Sequence, residues 1–325
     1  MAVRLGFLFA GQGAQLVGMG KELCAAFPEA RAVLEEAGAA CGLDLAELAF
    51  EGPAERLAQT ELTQPAILAV SLAVHAVLVR RGVVPQAAAG LSLGEYGALV
   101  AAGAAEVRDF VPLVRRRGRY MQEAVPLGAG GMAAVAGMDA DGVAALCAAA
   151  VETLRASGEP APEGGWVLAP ANFNCPGQTV VSGHSQAVRE AVRLGPGLGA
   201  RRVLPLTVSA PFHSPLMHPA TLRLRADLEA VALRPASLPV VANVHAEPVQ
   251  SPQEIRAALV AQVEGAVRFE ACVRRLGSLG CEAFVELGPG RVLAGFVGRI
   301  LPGARTLSVC DPAGVERCVE EFGAA

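Results

Sequence analysis

Gly90-Leu91-Ser92-Leu93-Gly94-Glu95-Tyr96 is the stretch on which the reading of this chain turns. It follows a short run of small residues, Gln86-Ala87-Ala88-Ala89, and leads directly into an apolar run from Gly97 to Ala105. A strand, a sharp turn with a serine between two glycines, then a helix is the pattern of a nucleophile elbow. The turn is crowded, so a Cβ at either glycine would collide with a neighbouring strand or helix. Ser92 then lies at a helix N-terminus, where free backbone N–H groups and the helix dipole favour developing negative charge. The same spacing also fits a glycine-rich turn holding an ordinary serine, so the remaining residues must decide between the two.

A serine nucleophile needs a base, usually histidine. The chain has five histidines. His75 lies inside a long apolar helix and reads as a core residue. His184 stands just before a helix and reads as a capping residue. His245 is in a polar loop, and His218 precedes a proline. His213 is flanked by Pro211 and Pro215, which restrict the backbone on both sides, and Phe212 supplies an apolar wall. His213 is therefore the first candidate, with His218 and His245 as alternatives. No Asp occupies a loop suited to orienting the imidazole, and a backbone carbonyl can do the same for the neutral ring.

The 325 residues suffice for a large core, and their net charge of −4 gives no general attraction to nucleic acid. Apolar residues make up 53 % of the chain, much of it Ala and Val, and Gln64 to Val79 reads as a buried helix that does not span a membrane. The first strand, Val3 to Phe9, does not have the form of a secretion signal, and a cytoplasmic location is expected. Eight scattered cysteines have no metal spacing and read as buried free thiols. Lys21 is the only lysine. The dense basic cluster, Arg115-Arg116-Arg117-Gly118-Arg119, fits a solvated helix face or a phosphate-binding patch, although Arg117 shares a face with Met121 and suits partial burial. After the first strand, Gly11-Gln12-Gly13-Ala14-Gln15-Leu16 fails as a dinucleotide fingerprint, but it still presents backbone N–H groups at a strand's C-terminal end.

Periodicity predicts helices over Glu29–Cys41, Ala54–Ala58, Thr63–Arg81 (Thr63 as N-cap) and Val107–Ala124. From Gly128 the texture changes. Strands are expected at Met132–Gly137, Trp166–Asn172, Gln178–Ser182 and Arg201–Leu206, with helices at Asp139–Leu154 and Ser185–Leu194. This βαββαβ order is the ferredoxin-like split unit, a small domain (residues 128–206) inserted into a larger one (1–127 and 207–325). The larger one resumes with helices at Pro219–Ala232, Pro252–Gln262, Phe269–Leu279, Arg291–Leu301 and Val315–Phe322, and with strands near Val240–Asn243, Glu282–Leu287 and Thr306–Val309.

Taken together, these motifs resemble the malonyl-CoA:acyl-carrier-protein transacylases and, more distantly, the acyltransferase domains of polyketide synthases. The resemblance covers nearly the whole chain. It rests on Phe9–Gln15, Gly90–Glu95, Arg117-Gly-Arg-Tyr-Met-Gln122, Asn172-Phe-Asn-Cys-Pro-Gly-Gln178, Phe212-His-Ser-Pro-Leu-Met217, Asn243-Val, Gln262 and Glu286-Leu-Gly-Pro-Gly290. It implies an α/β-hydrolase-like core with an inserted ferredoxin-like small subdomain. It also implies Ser92 as nucleophile, His213 as base, and the main-chain carbonyl of Gln262 as the group that orients His213. The N–H groups of Gln12 and Leu93 would form the oxyanion hole. Arg117 would pair with a malonyl carboxylate, with Phe212, Met121 and Asn172 around the substrate. The implied reaction moves malonyl from malonyl-CoA to an acyl carrier protein through a Ser92 ester, in fatty-acid or polyketide synthesis.

CoA then enters as a thioester substrate, no cofactor or metal is needed, and a monomer is expected. Exposed Arg189, Arg193, Arg201 or Arg202 would meet the acidic carrier protein. Two positions depart from the family pattern. Leu91 replaces the usual His before the nucleophile, and Ala210-Pro211-Phe212 replaces the commoner Val-Pro-Ser, which points to malonyl over methylmalonyl. Three other readings remain open at this stage: a discrete polyketide acyltransferase with another extender unit, a proofreading acyl hydrolase, and a non-enzymatic scaffold.

Overall fold

The computed structural model describes residues 3–208 and 210–323, and Ser209 of the loop before His213 lies outside that set. Among the described residues ten strands form two sheets. β1 (Leu5–Phe9), β2 (Ala87–Gly90), β7 (Val240–Val241), β8 (Pro248–Val249), β9 (Ala283–Leu287) and β10 (Arg305–Val309) make a six-stranded sheet in the order β10-β9-β1-β2-β7-β8, parallel except for β8. β3 (Gly130–Ala136), β4 (Leu168–Cys175), β5 (Gln178–His184) and β6 (Arg202–Pro205) make an antiparallel sheet in the order β4-β5-β3-β6.

The large sheet is covered on both faces, which is why its strands read as unbroken apolar runs. Phe7, Phe9 and Ala88 point towards the helices Pro28–Cys41, Thr60–Arg80 and Val107–Glu123. Leu8, Ala87 and Ala89 point the other way, towards Phe269–Ser278 and Val292–Ile300. Helix Thr60–Arg80 is long and apolar enough to cross a bilayer, but 78 % of its apolar window is buried in this core. The chain leaves β1 towards β2 on one side, while β9 flanks it on the other. Their C-terminal ends therefore open a crevice at the switch point of the sheet, where ligands bind in such folds.

The small sheet turns one face to its own two helices and the other to the crevice of the large sheet. Ala133, Val135 and Val181 pack under helices Ala140–Ala156 and Ser185–Leu194, whereas Met132, Ala134 and Val180 face the crevice of the large sheet. The small sheet is tied to the segment before helix Phe269–Ser278 by a parallel bridge between Asn172 and Val267, with Val267 N–H donating to Ala171 O and Phe173 N–H to Val267 O, both at 2.8 Å.

The order and type of the expected elements hold, with local differences. The apolar helix starts at Thr60, one turn before Thr63. Thr63 therefore does not cap it, and its hydroxyl instead donates to the carbonyl of Leu57. The helix after the elbow ends at Ala101, and β4 begins at Leu168, two residues after Trp166. His184 occupies an N-cap position but makes no side-chain cap; its Nδ1 accepts from Val167 N–H. The arginine cluster is mostly tied into the fold, and only Arg119 is exposed. Arg115 pairs with Glu61 at 3.1 Å, Arg116 with Asp227 at 2.7 Å, and Arg117 is only 1 % exposed. All eight cysteines are free, and all but Cys310 are buried.

The elbow depends on close backbone approach. A Cβ on Gly90 would stand 2.0 Å from the carbonyl carbon of Gly94, and one on Gly94 would stand 2.0 Å from Phe9 O. Neither obstacle is a movable side chain. Gly94→Ala should therefore cost about 3 kcal/mol or more of stability in urea unfolding, at or above the top of the range for overpacking. Gly197→Ala, where nothing lies within 4 Å of the new methyl, should change stability by less than about 0.5 kcal/mol.

Candidate active site

Between β2 and helix Gly94–Ala101, Ser92 takes φ = 53°, a left-handed conformation that costs a non-glycine residue on the order of 1–3 kcal/mol. Asn243, just past β7, holds the turn from beneath. Its Oδ1 accepts from Ser92 N–H at 2.7 Å, and its Nδ2 donates to Gly90 O at 2.8 Å. One amide thus satisfies both sides of the strained turn.

His213 has a second left-handed backbone, with φ = 57°. Its Nε2 lies 2.7 Å from Ser92 Oγ and its Nδ1 2.8 Å from the carbonyl oxygen of Gln262. A carbonyl only accepts, so Nδ1 carries the proton and Nε2 is left free to take the proton of Ser92. Gln262 is the last residue of helix Pro252–Gln262, and such terminal carbonyls have no partner within their helix. Burial, and then the charge of Arg117, push the His213 pKa down to about 4. The ring is therefore an unprotonated base throughout the neutral range.

Arg117 closes the other side. Its Nη2 donates to Ser92 Oγ at 3.0 Å and to Gln262 Oε1 at 2.9 Å, and its Nη1 donates to Gln64 Oε1 at 2.8 Å. Burial pushes the pKa of this guanidinium down, but arginine starts so high that it remains a cation. The carboxyl of Glu95, fully enclosed, is raised by burial to about 7.

These groups line a cavity of about 840 Å³ between the two sheets. Of the expected residues, Gln12, Ser92, Leu93, Arg117, Met121, Asn172, Phe212 and His213 border it, while Gln262 sits behind His213 and Arg117. The N–H groups of Gln12 and Leu93 have no intramolecular acceptor among the described residues, so both remain free to bind an oxyanion. His218 and His245 are elsewhere: His218 pairs with Glu264 at 3.1 Å on the surface, and His245 accepts from Glu247 N–H. Leu91 is half-buried: it packs against the cluster containing Phe269 and Phe296 and also borders the cavity beside Ser92. No group of His, Cys, Asp or Glu among the described residues could hold a metal ion.

A serine, a neutral imidazole oriented by a carbonyl, and a buried guanidinium on the same serine oxygen suit the transfer of an acyl group that ends in a carboxylate. The acyl transferase domain family matches residues 6–317. The malonyl CoA-acyl carrier protein transacylase of Bacillus subtilis strain 168 is 42 % identical over 317 residues, which are 98 % of this chain and 96 % of that one. The chain belongs to the malonyl CoA-acyl carrier protein transacylase family. The solved transacylase from Coxiella burnetii superposes with a TM-score of 0.93 at 36 % identity, covering 100 % of this chain and 99 % of that one. A malonyl-transacylase solved in complex with its type II PKS acyl-carrier protein superposes at 0.92 with 38 % identity, over 98 % and 99 % of the two chains.

For a transacylase of this family, four residues gain a structural part that sequence reasoning did not assign. They are Asn243, Glu95 and Gln64, which hold one another or the site residues by hydrogen bonds, and Asn174, which only borders the cavity with a buried Oδ1 that has no partner among the described residues. Gln64 carries a visible signal as the one amide inside a long apolar helix. Asn243 figures only as part of the family resemblance and carries no local sign of its role, because it lies 151 positions from the N–H it holds.

Asn243→Ala should cost about 2–4 kcal/mol, since two elbow groups lose their partner, and the serine should lose most of its reactivity; urea unfolding and active-site titration read the two effects. A neutral serine-directed sulfonyl fluoride should label Ser92 at a rate that stays flat from neutral pH down to about 5. The rate should then fall with a midpoint near 4, because only the unprotonated ring takes the serine proton. A midpoint near the ordinary histidine value of about 6.5 would contradict the burial described here.

Proposed function

We propose that the protein moves a malonyl group from malonyl-CoA to the phosphopantetheine thiol of an acyl carrier protein through an ester on Ser92, serving fatty-acid or polyketide synthesis. The observation that carries this reading is the pair of contacts on Ser92 Oγ, with His213 Nε2 at 2.7 Å and Arg117 Nη2 at 3.0 Å. In the first half-reaction the substrate carboxylate pairs with the Arg117 guanidinium, whose planar fork suits bidentate binding. Ser92 gives its proton to His213 Nε2 and attacks the thioester carbonyl. The oxyanion is received by the N–H groups of Gln12 and Leu93, the latter at the start of helix Gly94–Ala101, where the dipole adds to the stabilisation. As the tetrahedral adduct collapses, His213 returns the proton to the departing CoA sulfur. In the second half-reaction the pantetheine thiol gives its proton to His213 and attacks the malonyl ester; as the adduct collapses, His213 returns that proton to the departing Ser92 Oγ.

Phe212 and Met121 narrow the acyl end of the cavity, which supports malonyl over a branched extender, and Asn172 borders the path of the arm. Arg189, Arg201 and Arg202 are exposed beside β6 without an ion pair among the described residues, and Arg193 pairs only with Glu190. This basic rim supports docking of the acidic carrier protein on the small-sheet side. The domain division at residues 127/128 and 206/207, a monomeric state and a cytoplasmic location belong to the same proposal; the eight unpaired thiols are consistent with that compartment.

Intact-mass labelling with malonyl-CoA, followed by a chase with holo-acyl carrier protein, tests the reading. A malonyl adduct should form on the wild type, be absent from Ser92→Ala, and pass to the carrier. Arg117→Ala should lower malonyl transfer about 100-fold, the worth of a charge-assisted pair, and should raise acetyl transfer relative to it. Release of malonyl to water faster than to the carrier, or an equal loss for both acyl groups, would overturn the assignment.

A further inference from the structure

The Arg117 guanidinium is enclosed in the protein, yet among the described residues its hydrogen bonds all end on neutral oxygens: Gln64 Oε1, Gln262 Oε1 and Ser92 Oγ. An isolated buried cation is costly, and buried charges are ordinarily paired. The compensating charge stands one residue further away. Gln262 Nε2, on the far side of the amide that accepts from Arg117, donates to Glu95 Oε2 at 2.8 Å. The same Glu95 oxygen accepts from Asn243 N–H at 2.8 Å, and Glu95 is 0 % exposed. The guanidinium, the amide and the carboxylate therefore form a line, with the amide dipole pointing its oxygen at the cation and its N–H at the anion.

We infer that Glu95 is a positioning residue, a counter-ion held off by Gln262 so that Arg117 is electrostatically balanced in the free enzyme while its donors stay exchangeable for a substrate carboxylate. A carboxylate in direct contact would occupy the fork and compete with the substrate. With no carboxylate nearby, the bare cation would bind a substrate carboxylate more tightly and hold the malonyl ester longer. The spacing through one amide lies between these extremes. Gln262 then has two separable parts: its backbone carbonyl serves His213, and its side chain separates Arg117 from Glu95. This inference rests on the proposed malonyl transfer, because it concerns how Arg117 meets a carboxylate.

Glu95→Gln tests it, because an amide oxygen at the Oε2 position can still accept from Asn243 and Gln262 while the charge is removed. The readout is the ratio of kcat/KM for malonyl-CoA to that for acetyl-CoA in Ser92 ester formation, measured above the Glu95 pKa of about 7. The ratio should rise on the order of ten-fold, as expected for one charge acting through an intermediate dielectric, and the rise should come mainly from a lower KM for malonyl-CoA. In an Arg117→Ala background the same substitution should leave the ratio unchanged.

Gln262→Glu keeps the backbone carbonyl but brings a carboxyl against Arg117, so the ratio should fall; this opposite sign serves if Glu95→Gln does not fold. An unchanged ratio in Glu95→Gln, or a change that persists without Arg117, would mean that Glu95 only pins Asn243 and Gln262, and would overturn the inference while leaving the transferase reading intact. Failure of the wild type to take malonyl at Ser92 would remove both.

Discussion

Enclosing the guanidinium of Arg117 beside a nucleophile is the constraint around which the rest of the molecule is arranged. A cation taken out of water must be met by oriented dipoles, and here they come from separate parts of the chain: Gln64 from the apolar helix Thr60–Arg80, Gln262 from the end of Pro252–Gln262, and Ser92 from the elbow after β2. Each of these amides is used a second time. Gln64 Nε2 donates to Gln12 Oε1 at 3.3 Å, which joins Arg117 to the loop after β1. Gln262 supports His213 through its carbonyl and touches Ser92 O through Nε2 at 3.0 Å. Base, nucleophile and cation therefore cannot shift independently, and this rigidity is the preorganisation that acyl transfer needs.

The two reacting side chains are also the two held in left-handed backbone at the site, Ser92 at φ = 53° and His213 at φ = 57°. Neither conformation is stable by itself. The parallel sheet provides the free energy that holds them, through apolar runs buried on both faces and strands packed closely enough that Gly90 and Gly94 admit no side chain. Asn243 converts that burial into geometry at a single point.

Much of this was legible in the sequence, for physical reasons that differ by residue. The elbow could be read because steric exclusion leaves glycines at fixed spacing. The ferredoxin-like unit could be read because antiparallel strands and amphipathic helices have distinct periods. Arg117 emerged from its cluster by sharing a helix face with Met121, which is also buried. What stayed hidden was information carried by backbone atoms or by long-range pairing. The carbonyl that orients His213 has no side-chain signature, so only the family resemblance pointed to Gln262. The contact between Asn243 and Ser92 is a product of topology. Thr63 looked like a helix cap because a threonine precedes Pro65, but tertiary packing extended the helix back to Thr60 and left its hydroxyl to bond Leu57.

The cavity has two walls of different ancestry in the chain. Ser92, His213, Arg117 and Gln262 all belong to segments around the six-stranded sheet, while Met132, Ala134, Asn172 and Val180 come from one unbroken stretch that folds as the four-stranded sheet. The Ser92, His213 and Arg117 side and the facing wall of the cavity are therefore encoded separately. A contiguous stretch can be exchanged between relatives by recombination at its two ends, provided that the seam at Asn172 and Val267 is preserved. Such an exchange renews what the catalyst meets without rebuilding the catalyst itself.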